Sequence, residues 1–71
     1  MTGQEWVAEF ADRLGVDAPD RDTFDTLLDL AGVAARDSER IAAPIACYLV
    51  GRAGLAADEA MELARRVAPP E

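Results

Sequence analysis

The apolar residues Trp6, Val7, Phe10, Ala11 and Leu14 recur at the three- and four-residue intervals of a single helix face, and three later segments repeat that rhythm. No stretch shows the strict alternation of a half-buried strand. A chain patterned this way has one economical solution, which is to pack helices against one another. The expected fold is therefore all-α, a compact bundle of four short helices making one domain over residues 1–71.

Local chemistry sets the ends of these helices. The opening TGQE is a capping box in which Thr2 accepts from the Glu5 amide while Glu5 reaches back. Gly15 stands where a left-handed residue closes the first helix, and Pro19 prevents continuation. Asp22 is expected to cap the second helix, with Phe24, Leu27, Leu28, Ala31, Ala34 and Ala35 on its inner face and a stop between Arg36 and Ser38. Pro44 suits the first turn of the third helix, where a missing N–H does no harm. From there PIACYLVGRAG is apolar on nearly every side, which predicts a central helix covered by the others, closed by Gly54. Gly51 in its interior predicts a close helix crossing. The last helix is expected from about Ala56, with Ala57, Ala60, Met61, Ala64 and Val67 facing inward, Arg65 and Arg66 in its last turn, and Pro69-Pro70 as the stop. Trp6 and Phe10 read as core anchors, the alternative being that one of them lies at the edge of an exposed patch used for docking.

Size and charge bound the function. At 71 residues the chain is near the lower limit for an unaided core and buries only about 60% of its unfolded surface. Its net charge is −7, and all 7 basic residues are arginine. That balance repels nucleic acid and anionic membranes over most of the surface. The opening residues do not read as a secretory leader, and the longest uncharged run, Ile41 to Gly51, is too short to span a bilayer. A cytoplasmic setting is expected.

Without His or Lys, most general-base and Schiff-base arrangements have no side chain to build them, so no enzyme activity is expected. The single cysteine, Cys47, lies in an apolar segment with no base beside it and reads as a small core residue. Asp17, Asp20, Asp22 and Asp25 suggest a calcium loop only superficially. The turn glycine is missing, and Leu28 stands where a bidentate Glu is required. No metal and no cofactor are expected. Arg36 and Arg40 bracket the break before the third helix, where two guanidinium groups beside free helix amides would form an anion or partner-carboxylate contact. The competing account makes Arg36 a helix-end charge and pairs Arg40 with Asp37 or Glu39.

The pair Asp37-Ser38 raises the possibility of an acyl-carrier-like protein modified at Ser38, the only serine. Against it, Glu39 follows where carriers have Leu, and Pro44 would interrupt the helix that follows the modified serine. A turn with Asp and Ser side chains capping backbone amides accounts for the pair better.

The segment LLDLAGVAARDSERIAAPIACYLVGRAG, residues 27–54, resembles the centre of a small helical domain family of unknown function in actinobacteria. Asp29, Ala31, Ala35, Glu39, Arg40, Ala42, Ala43, Pro44, Leu49, Val50 and Gly51 match its pattern without gaps, and the early Trp6 fits. Arg36 replaces the family's usual His, and Ile41 replaces a Pro; Arg36 keeps charge but cannot serve as a proton switch near neutrality. The resemblance implies a domain found alone or fused to the guanylyltransferase that makes molybdopterin guanine dinucleotide. It thus implies an adaptor, a stabiliser or a carrier of a bound intermediate, with a molybdopterin nucleotidyltransferase as the partner. A self-associating helical module is the further alternative, favoured if an apolar stripe stays exposed.

Overall fold

The computed structural model describes residues 1–68. It contains α1 (Gly3–Leu14), α2 (Arg21–Asp37), α3 (Ala42–Ala53) and α4 (Ala57–Ala64), and no strand among the described residues. The all-α, four-helix reading holds. Helices α3 and α4 both pack on α2, while α1 touches the rest only lightly, and the chain measures 42 × 23 × 18 Å.

Helix α1 forms where its sequence places it. Thr2 accepts from the Glu5 amide at 3.1 Å, and Glu5 accepts from the Thr2 amide at 2.8 Å, so two orphan donors are satisfied reciprocally. At the other end Gly15 adopts φ 78°, letting Gly15 donate to Asp12 and Val16 donate to Ala11. Those paired bonds need a left-handed residue, which favours glycine. Helix α2 begins two residues earlier than expected: Asp20, not Asp22, accepts from the Thr23 amide at 2.8 Å. Asp22 instead lies in the first turn, adding negative charge near the helix amino end.

Both cap carboxylates have acidities shifted by these bonds. Glu5 is held below its ordinary value by the Thr2 backbone bond and then by its hydroxyl, and Asp20 is lowered by its bonds to Thr23. A folded-state value depressed below the unfolded one contributes stability in full above the unfolded value. That contribution is lost as pH falls through the folded value. The double variant Glu5→Gln, Asp20→Asn should therefore show a flatter fall in thermal midpoint on the acid side than the parent. Circular dichroism melts across the carboxylate range check this.

The core lies where α2, α3 and α4 converge. Leu30 is 2% exposed and packs in a cluster with Ala60 and Met61, against which Val33, Ala46, Cys47, Val50 and Ala64 are laid. The small side chains of α3 and α4 on this side let both helices approach α2 closely. Full burial of a leucine is worth about 1.5–3 kcal/mol, so this cluster dominates the stability of so small a domain.

Four expectations are corrected. The central helix is α2, not α3: no residue of α3 is fully buried, and its Ile41, Ile45, Tyr48 and Leu49 are open to solvent. Overall apolarity told of a helix with apolar residues on several sides, but α3 packs chiefly on α2, which leaves its other sides uncovered. Trp6 and Phe10 are not core anchors. They are 55% and 47% exposed, stacked on each other with ring centroids 5.0 Å apart, because α1 turns its Val7 and Ala11 inward instead. Gly51 is not at a close crossing, since a Cβ there would meet nothing within 4 Å. Finally, α4 stops at Ala64, leaving Arg65 and Arg66 in a following turn and Val67 81% exposed. Pro69-Pro70 lies outside the described residues.

The Gly51 finding yields a prediction. Gly51→Ala removes backbone freedom from the unfolded chain and fills open space, so it should stabilise by about 0.4–1 kcal/mol. A urea titration that showed destabilisation would mean that something approaches Gly51 closely after all.

No described helix is long and apolar enough to cross a membrane. The ion pairs among the described residues, Glu9–Arg13 and Arg21–Asp25, are exposed i,i+4 pairs, each worth only about 0.3–0.5 kcal/mol.

Candidate functional site

The break between α2 and α3 holds the sequence-derived candidates. Arg36 lies in the last turn of α2, where positive charge complements the helix dipole. Its guanidinium folds back one turn, with Nη1 3.0 Å from where a Cβ on Gly32 would stand. Gly32 thus makes room for Arg36 to lie along α2, directed away from the start of α3. Arg40 is exposed in the turn, and neither arginine makes an ion pair among the described residues.

The α3 amino end does not supply the free amides that an anion site needs. Ala42 donates to the Glu39 carbonyl at 3.0 Å and Ala43 to the Arg40 carbonyl at 3.1 Å, and the third position is Pro44, which has no N–H. Arg36 and Arg40 are therefore not brought together with helix amides into a nest. What they provide is a pair of exposed positive charges at one end of α3.

Ser38 closes α2. Its hydroxyl donates to the Ala34 carbonyl at 2.7 Å, satisfying one of the orphan acceptors at the helix end. The boundary reading of Asp37-Ser38 holds, with the correction that the serine caps a carbonyl rather than an amide. It belongs to the end of α2 and not to the start of a helix. Beside it, a pocket of about 240 Å³ is walled mainly by apolar side chains including Leu30, Val33, Ala42 and Ala46.

Cys47 is half-buried against the core, its thiol pushed up by desolvation and directed at the Leu27 carbonyl 3.9 Å away. A thiol so placed is held protonated and is a poor nucleophile. On the other side of α2, Asp20, Asp22, Asp25 and Asp29 face Asp58 of α4 across an open groove of about 700 Å³. No group of carboxylates and thiols among the described residues is arranged to hold a metal ion.

The larger feature is apolar. Along α1, Trp6, Phe10 and Leu14 form an outward row; along α3, Ile41, Ile45, Tyr48 and Leu49 form another, and all are about half exposed or more. The α3 row runs from Arg40 to Arg52, and α3 is the only helix without an acidic residue. In a chain with 14 carboxylates, this is the one helix that presents an apolar face framed by positive charge. Monomeric domains seldom leave contiguous apolar surface of this kind uncovered unless it meets a partner.

The sequence pattern that defines DUF6457, a domain of unknown function, matches residues 1–70, nearly the whole chain. The chain belongs to the DUF6457 family. No curated protein and no solved structure shows significant similarity to it. The expectation of a small domain family of unknown function is thus met at that level.

Within this DUF6457 domain the α3 face was half legible. Its residues were recognised as apolar on every side, yet assigned to the core because nothing in a single sequence says how many neighbours a helix will have. The acidic groove needed α4 as its second wall, so only Asp20, Asp22 and Asp25 of its carboxylates stood out in sequence.

Proposed function

We propose that this domain is a non-enzymatic, cytoplasmic adaptor that docks a protein partner on the exposed face of α3, with Arg40 contacting carboxylates or phosphates at its amino end and the exposed Arg36 doing so from its place along α2. The observation that carries this reading is the uncovered row Ile41, Ile45, Tyr48 and Leu49 between two arginines. Interface centres favour such aromatic and aliphatic side chains, with arginine as the accompanying charge. The absence of His and Lys from the chain and the desolvated thiol of Cys47 support a non-catalytic role. The acidic remainder of the surface would steer the domain toward a basic partner and away from nucleic acid.

For the partner, the proposal is a molybdopterin nucleotidyltransferase, which connects the domain to assembly of the molybdenum cofactor. Its support is the run from Glu39 to Gly51, which resembles domains fused to that enzyme, and Pro44 and Arg40 belong to that run. The test is a titration of isotope-labelled domain with the nucleotidyltransferase of the same genome, followed by amide NMR. Shifts concentrated between residues 36 and 52 are expected. Unchanged spectra at high micromolar enzyme would remove the molybdenum link, and shifts confined to α4 would remove α3 as the docking face.

A further inference from the structure

Two apolar rows are uncovered in one small chain, and they are matched. Helices α1 and α3 are each 12 residues, hence about 18 Å long. The α1 row cannot reach the α3 row of its own chain by a small adjustment. Val7 and Ala8 of α1 line one groove with Pro19 and Phe24, at the amino end of α2, whereas the α3 row is open to solvent. From these observations we infer that a second copy of this chain covers the α3 face when no other partner does, by laying the Trp6–Phe10–Leu14 row of its α1 against Ile41, Ile45, Tyr48 and Leu49. The inference rests on the reading of α3 as a docking face.

Charge agrees with the pairing. α1 carries three carboxylates against one guanidinium, with Glu9 bordering its apolar row, whereas α3 carries only Arg52, in line with its row, and is preceded by Arg40. Acidic helix meets basic-ended helix, which is the arrangement that selects α1-on-α3 over α1-on-α1 or α3-on-α3. Area agrees as well. A two-fold axis makes the contact twice, so each copy contributes both rows. Their seven side chains are 47% to 73% exposed, and a stable interface of standard size takes about 800 Å² from each partner, so both rows are needed to supply it. Formed twice about a two-fold axis the contact gives a closed dimer, whereas formed once per copy it would join copies head to tail.

Trp6, the single tryptophan, reports the contact directly. In a dilution series its emission should move to longer wavelength as the dimer dissociates, in step with the fall in sedimentation coefficient. Trp6→Glu and Ile45→Glu change exposed positions, so both variants should keep the parent's helical signal while weakening the dimer at least tenfold. Mixing the two variants should restore association in part, because the intact α1 of one meets the intact α3 of the other. A chain that stays monomeric into the high micromolar range overturns the inference, as does a dimer that survives Ile45→Glu or a mixture that shows no rescue. A monomer would leave the adaptor reading to be decided by the NMR titration, so the two failures are distinguishable.

Discussion

Leu30→Ala is expected to lower the urea midpoint sharply, more than alanine at any other leucine among the described residues. Leu30 is the most buried large side chain among the described residues, and it touches the inner residues of α4 while α3 closes over the same cluster. Leucine-to-alanine changes at such sites cost about 2–5 kcal/mol, the transfer loss plus the cavity left behind. A domain of this length has roughly 4–10 kcal/mol in total at the usual per-residue value. One substitution thus removes a large share of the stability, about half at matched ends of the two ranges, and it does so at the point where α2 holds both neighbours. Urea titrations followed by far-ultraviolet circular dichroism measure the loss. Leu28→Ala, two residues away and exposed, is the control and should stay within about 0.5 kcal/mol of the parent. If Leu30→Ala costs no more than this control, α2 is not the centre of the fold.

Ala60→Asp should be the other severe change, for a different reason. Ala60 packs against Leu30 and Met61 with no cation in that cluster. A carboxylate there would be desolvated and unpaired, at an effective cost of several kcal/mol. The variant should lack the parent's helical signal at neutral pH. Burial would raise the new carboxyl above its unfolded value, so the penalty applies above the folded value and is relieved as pH falls. Helical signal should therefore return partly on mild acidification, the reverse of the parent's behaviour at its cap carboxylates. Leu63→Asp, on the exposed side of the same helix, should fold normally. A cooperative parent-like melt for Ala60→Asp at neutral pH would show that α4 does not pack on α2 as described.

The contrast between residues 60 and 63 also shows what a helical pattern can convey. The phase of α4 was readable because Ala57, Ala60, Met61 and Ala64 recur at helical intervals, and these are the residues that turn inward. The phase of α2 was readable only in part. Its expected inner face was Phe24, Leu27, Leu28, Ala31, Ala34 and Ala35, but Leu28 is exposed, while Leu30 and Val33 anchor the core. A helix covered on two sides buries a wide arc, and a single stripe cannot describe it.

The sequence by itself determined the four elements and most of their ends, the start of α2 and the end of α4 excepted. The Thr2–Glu5 box, Gly15, Gly54 and the serine at the end of α2 act through bonds spanning three to five residues, so their partners are already present in the local chain. Family membership is equally a property of the sequence. The tertiary structure alone decided which helix is central, that Trp6 and Phe10 lie outside, that Gly51 faces open space, and that Arg36 lies over Gly32 instead of joining Arg40 at the α3 amino end. The physical reason is that burial is a relation between elements: an apolar stripe states a need for cover, and only the arrangement of the other helices determines whether that need is met within the chain.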